Sequence, residues 1–284
     1  MLGVRLMGAY TPIPLCEKRD KGGSAVRTPK DGTVIYYRDP LRDEFSGIRR
    51  EPFTVDSRFP FLREGRLYRF LKFIVYRVAV TPVAFLYCRM KFRLRIVGRE
   101  KLKGQRGYFL YGNHTQAPAD GFLSAVVPFP TETHVLVNSD NVALPGTRTL
   151  MQMLGALPIP TARDGFPAFE AAVRHHIERG RCVVVFPEAH IWPYATVIRP
   201  FTAVSCRYPV ALSASSFTFT VTYRASKRGK PRMVVFVDGP FFGEGDTRKE
   251  QQQSLREKLL AAMKSRAETP ENHAFIRYER EETT

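Results

Sequence analysis

The chain has 284 residues, of which 44% are hydrophobic, with 44 Lys and Arg against 27 Asp and Glu, a net charge of +17. That composition is globular and the length suffices for one large core, or for one domain with an arm. The charge calls for a polyanionic surface, phospholipid or nucleic acid, and four cysteines without a C-x-x-C spacing exclude a zinc cluster or a disulfide framework and fit a reducing setting.

Residues 1–60 read as an irregular N-terminal arm. They hold Pro12, Pro14, Pro29, Pro40 and the run Gly22-Gly23-Ser24, with little periodicity beyond a short strand at Thr33–Tyr37. Residues 1–10 lack a continuous apolar core, so no secretory leader is expected. Residues 61–90 are basic and amphipathic. From Phe61 to Arg106 there are thirteen Lys and Arg against two acids, interleaved with Leu67, Tyr68, Phe70, Phe73 and Ile74. That pattern predicts a helix lying in the headgroup layer, bent at Pro82. The longest uncharged apolar stretch here, Val78–Cys88, has eleven residues, too few for a crossing, which needs about 20.

From residue 91 to 268 strands and helices alternate. The expected strands are Phe92–Val97, Tyr108–Tyr111, His134–Val137, Leu157–Pro160, Cys182–Phe186, Phe217–Tyr223 and Met233–Asp238. The expected helices are Ala119–Val127, then Asp164–Gly180 with Pro167 in its first turn, and Gln251–Ala267 behind the capping box Thr247–Glu250. This is an α/β fold with a largely parallel central sheet and helices on both faces. Residues 269–284 alternate charges and read as a solvated polar tail. His134, His175, His176 and His273 read as surface or packing residues, and no metal spacing surrounds them.

Two polar clusters close apolar strands. Asn113-His114-Thr115-Gln116 follows Tyr108–Tyr111 and leads to Asp120; Glu188 and His190 follow Cys182–Phe186. Strands of an open α/β sheet carry their sites at their carboxyl ends, so both clusters are expected in one pocket. An imidazole oriented by a carboxylate is the equipment for deprotonating a hydroxyl, which nominates His114 as base and Asp120 as its partner, with Glu188 and Asp140 as the other candidates for that place. Asn113 is expected to fix the turn, and Thr115 and Gln116 to bond the loop, whose amides would serve a tetrahedral oxyanion. Trp192 and Tyr194 are expected either to line the pocket or to pack the loop.

The order Asn113-His114…Asp120, Gly155-Ala-Leu-Pro-Ile159, Phe186-Pro-Glu188 and Arg199-Pro-Phe201 resembles the glycerolipid acyltransferases similar to the 1-acyl-sn-glycerol-3-phosphate acyltransferases, over about residues 65–240. The resemblance implies acyl transfer from coenzyme A or acyl carrier protein to the hydroxyl of a lysophospholipid, 1-acylglycerol-3-phosphate first, with no covalent intermediate, cofactor or metal. It also implies residence on an anionic membrane at its cytoplasmic face. Glu188 carries over onto the family's third block. The family's glycine and arginine after it are replaced by Ala189 and His190, and the His-to-Asp interval is one residue longer than usual. His190, Arg163 and Arg199 are therefore the candidates for holding the acceptor phosphate. A nucleic-acid-binding module, supported by charge alone, and a thioester hydrolase using the same His-Asp pair are the competing readings.

Overall fold

The computed structural model describes residues 32–47, 53–143, 146–226 and 229–281. In chain order the elements are β1 (Thr33–Tyr37), a continuous helix built of α1 (Arg66–Phe73), a π-helical segment (Ile74–Val80) and α2 (Thr81–Phe92), then β2 (Arg95–Val97) and β3 (Tyr108–Gly112). They continue with α3 (Ala117–Val126), β4 (Thr133–Val137), α4 (Arg148–Met153), β5 (Ala156–Pro158), α5 (Phe166–Glu178) and β6 (Cys182–Val185). The last are α6 (Arg207–Ala211), β7 (Ser216–Arg224), β8 (Arg232–Phe241), α7 (Arg248–Ala267) and β9 (Ile276–Arg280).

Seven strands form one sheet in the order β2-β8-β7-β3-β6-β4-β5. Every pairing is parallel except β7 with β8. The two-residue period of a strand sorts the core into two layers. Phe109 and Tyr111 of β3 pack with Val183 and Val185 of β6 under α5 and α7, while Tyr108, Leu110, Cys182 and Val184 face α2 and α3. The central strands are buried on both sides, as a sheet sandwiched by helices requires.

Helix α7 opens with the expected capping box, Thr247 with Glu250, and buries Leu255, Leu259 and Met263. Gly112 ends β3 where a Cβ would sit 2.2 Å from the Phe219 ring. Only glycine allows the strand to come that close.

Several expectations need correction. The helix from Arg66 to Phe92 has 27 residues and is long and apolar enough to cross a membrane by length and composition, although it was expected to be too short. Arg77 falls inside the apolar part, which otherwise runs between Lys72 and Arg89. Only 17% of its most apolar window is buried, and Leu67, Phe70, Phe73, Val78 and Leu86 stand exposed. It also continues through Pro82: the preceding turns widen to π-helix, and the Thr81 hydroxyl donates to the Tyr76 carbonyl at 2.6 Å.

Phe92, expected in a strand, is instead the last residue of α2 and is buried, with Arg93 in a left-handed C-cap. The charged tail is not wholly solvated. Its residues 276–280 form β9, which pairs in parallel with β1 as a second, two-stranded sheet, burying Phe275 and Ile276. The arm is anchored as well, since Val55 and Phe59, with Phe61 just after it, enter the core beside Phe169.

A buried polar cluster joins the helix to the amino end of β4, away from the strands' carboxyl ends. Lys72 meets Glu132 at 2.5 Å, Tyr76 shares a 2.6 Å hydrogen bond with Thr133, and His134 stacks on His176 with ring centres 3.5 Å apart. Burial, followed by the Lys72 charge, pushes His134 down to about 4, against the pull of Glu132. Burial likewise drives His176 far down, with His134 and Arg181 adding to it.

Between those values and the ordinary histidine pKa of about 6.5, the unfolded chain binds protons that the folded chain refuses. Stability is therefore full above about pH 6.5 and falls as pH drops toward 4. His134 alone is expected to remove about 2 kcal/mol by pH 5. Urea unfolding at pH 7 and pH 5 checks this. The loss should shrink by about that amount in His134→Phe, and an unchanged pH dependence in that variant would contradict the assignment.

Candidate active site

Strands β3, β6 and β4 are adjacent and parallel, so their carboxyl ends open on one side of the sheet. Each contributes a loop to a single cavity of about 470 Å³. His114 enters from β3, Phe186 and Ala189 from β6, and Asn138, Asp140 and Asn141 from β4. Tyr76 and Val80 of the long helix complete the wall.

His114 Nδ1 lies 2.7 Å from Asp120 Oδ2. The same oxygen accepts the amides of Thr115 and Gln116, both at 2.8 Å. The longer interval is absorbed at the start of α3. Gln116 is the extended N-cap, Pro118 sits in the first turn, and Asp120 in that turn reaches back over the helix's own amino end. Buried and held by three donors, the Asp120 carboxylate fixes the tautomer with hydrogen on His114 Nδ1 and leaves the Nε2 lone pair as the ring's basic site. The imidazole also stacks on Phe186, with ring centres 4.5 Å apart. Its side chain is 18% exposed and that of Asp120 is 1% exposed, so the ring reaches the cavity and the acid does not.

The remaining expected residues divide into groups. Asn113 exchanges two hydrogen bonds with the Val221 backbone, donating at 3.0 Å and accepting at 2.8 Å, which welds the loop to β7. Thr115 shares a 2.7 Å hydrogen bond with the Tyr223 hydroxyl. Gln116 is buried beside Tyr194 and Tyr223. These three are scaffolding behind the imidazole, and none lines the cavity. The amides of Thr115 and Gln116, expected to serve an oxyanion, are engaged by Asp120.

Glu188 and Arg199 are buried together. Glu188 Oε2 accepts from Arg199 Nη2 at 3.0 Å and from the His114 amide at 3.1 Å, while Oε1 accepts the Arg199 amide at 2.9 Å. Arg199 also donates to the His190 carbonyl and lies over Trp192 at 4.7 Å. Neither lines the cavity; together they hold the loop that carries His114 from beneath.

His190 is occupied by Glu44 at 3.2 Å, and Trp192 donates to the Asp43 carbonyl and stacks on Tyr278. Trp192 and Tyr194 are packed loop residues, not pocket walls. Arg163 is exposed on the turn Arg163–Gly165, outside the cavity. The sequence reading missed Asn138 and Asn141 and named Asp140 only as an alternative partner for the histidine; the run Asn138-Ser-Asp-Asn141 directly after β4 was the available signal. Among the described residues, no group of three or more His, Cys, Asp or Glu could hold a metal ion.

Residues 93–212 match the family model described as Acyltransferase. Over that segment the chain is similar to the acyltransferases. The matched segment holds His114, Asp120, Glu188 and Arg199. Its fold is that of the 1-acyl-sn-glycerophosphate acyltransferase PlsC from Thermotoga maritima, with 14% identity and a TM-score of 0.50 over 74% of this chain and 86% of that one. A comparison with curated proteins gave no match.

Proposed function

We propose that this protein is an acyltransferase that moves an acyl group from a thioester, of coenzyme A or acyl carrier protein, to a hydroxyl of a lysophospholipid in phospholipid synthesis. The His114–Asp120 pair at the wall of the cavity carries the reading. His114 Nε2 takes the proton of the acceptor hydroxyl as its oxygen attacks the thioester carbonyl. The carboxylate of Asp120 stabilises the imidazolium that forms, and the proton then passes to the departing thiolate. The thioester is already activated, so no covalent enzyme intermediate and no cofactor enter the reaction.

The long helix supports a membrane setting. Its exposed apolar side chains are flanked by Arg66, Arg69, Arg89 and Lys91, and Tyr76 and Val80 bring it to the cavity wall. A lipid acceptor would reach His114 from the cytoplasmic face of the bilayer, where anionic headgroups attract the basic residues. 1-Acylglycerol-3-phosphate is the first acceptor to assay.

The test is product analysis with the full-length protein, an acyl-coenzyme A and a lysophospholipid in anionic vesicles. The proposal expects the diacyl lipid to form as free thiol is released. Release of free fatty acid with the lysolipid untouched would instead make the chain a thioester hydrolase. Flotation of the protein with the vesicles checks the membrane setting, and failure to float at physiological salt would count against it.

A further inference from the structure

Both backbone groups of His114 are held by the loop after β6. Its amide donates to Glu188 Oε2 at 3.1 Å, and its carbonyl accepts the Trp192 amide at 3.1 Å. The Thr115 carbonyl likewise accepts the Tyr194 amide at 3.1 Å. The backbone beneath the imidazole is therefore fixed in large part by residues 188–194. Two residues of that loop, Ala189 and Ile191, also line the cavity. Ala189 and Tyr194 have φ of 62° and 57°, a left-handed conformation that side chains rarely take and that persists only where the surroundings over-determine it.

What holds the loop comes from near the two ends of the described chain. Glu44 accepts the Ile191 amide at 3.3 Å and meets His190 Nδ1 at 3.2 Å, and the Phe45 amide donates to the Ile191 carbonyl at 3.3 Å. The Asp43 carbonyl accepts the Trp192 indole N–H at 2.8 Å. Tyr278 of β9 stacks on Trp192 with ring centres 4.7 Å apart, and its hydroxyl donates to the Pro193 carbonyl at 2.8 Å. Strands β1 and β9 pair with each other, so the two grips close into one clamp. Trp192, which both of them touch, is only 1% exposed.

Resting on the proposed acyl transfer, we propose that residues 33–46 and β9 form a strap that sets the His114 imidazole through the loop after β6, with Glu44 and Tyr278 as positioning residues for the reaction. Neither side chain lines the cavity, so their effect falls on kcat. A small displacement of the base from the acceptor hydroxyl costs rate even where substrate still binds.

Trp192 is the sole tryptophan of the chain, which gives the strap a signal of its own, because loosening it exposes the indole to water and to acrylamide quenching. Glu44→Ala and Tyr278→Phe leave the indole in place. In the full-length protein, Glu44→Ala is expected to lower kcat per folded enzyme about tenfold, and Tyr278→Phe in the same direction. KM should stay within about twofold of wild type, and Trp192 should quench more readily in both. Leu259→Ala, a truncation in the core under α7, should melt earlier yet keep the wild-type kcat per folded enzyme and the wild-type quenching. That contrast separates positioning from a general loss of stability. A kcat within about twofold of wild type in both strap variants would overturn the inference, as would a lower kcat with unchanged quenching. A wild type that transfers no acyl group would remove the proposed function instead, and the quenching comparison would still read whether the strap holds the loop.

Discussion

Replacing Asp120 with asparagine is expected to lower kcat by about 10³- to 10⁴-fold while the fold persists. The carboxylate accepts the His114 Nδ1 hydrogen at 2.7 Å and two loop amides at 2.8 Å. An asparagine oxygen can keep the amide contacts. It lacks the negative charge that stabilises an imidazolium, and turning its amino group to the ring would force the hydrogen onto Nε2, the atom that must accept the substrate proton. Some stability is lost as well, about 1–3 kcal/mol, because Asp120 is buried and well bonded. The measurement is single-turnover acyl transfer by folded protein, with circular dichroism as the control. A variant within threefold of the wild type would mean that Asp120 only caps α3.

The second large effect concerns stability. Glu188→Met strands the Arg199 guanidinium in a site only 2% exposed, and removing one partner of a buried pair costs about 3–5 kcal/mol. Against a total of about 5–15 kcal/mol, that is a substantial fraction. The melting temperature should fall by roughly 10 °C for a chain of this size. The double variant Glu188→Met, Arg199→Met should recover part of the loss, because no uncompensated charge remains. Activity falls with Glu188→Met as well, since the carboxylate accepts the His114 amide and fixes the loop. If Glu188 instead touched the acceptor, Glu188→Gln would raise KM without moving the melting temperature, and the structural assignment would fail.

The sheet was readable from the chain because buried parallel strands leave short apolar runs. Cys182–Phe186 and Tyr108–Tyr111 are both uninterrupted by charge and lie within a residue of their observed ends. Helix α7 was readable because Thr247 and Glu250 cap each other. Strand β9 was hidden, since Ile276, Tyr278 and Arg280 share their segment with Arg277 and Glu279, and its pairing to β1 spans nearly the whole chain. Periodicity cannot report a partner that distant.

The site divides along the same line. His114 and Asp120 are six residues apart and bound by one helix turn, so local sequence implies their contact. The capture of His190 by Glu44, 146 residues away, and the burial of Arg199 under the loop are tertiary events. A basic or polar residue in a motif looks free to bind phosphate until its actual partner is seen. The long helix was underestimated for a different reason: Arg77 cuts its uncharged run, and counting such runs misses an apolar window that tolerates one or two charges.

The account's central claim is that the His114 ring, held by Asp120, removes the acceptor's proton. Its most direct test is acyl transfer by His114→Ala, measured as diacyl lipid formed per folded enzyme on vesicles, with circular dichroism and flotation showing that fold and membrane binding are intact. The account predicts a loss of at least about 10³-fold. Transfer at near wild-type rate by that folded, membrane-bound variant would contradict it.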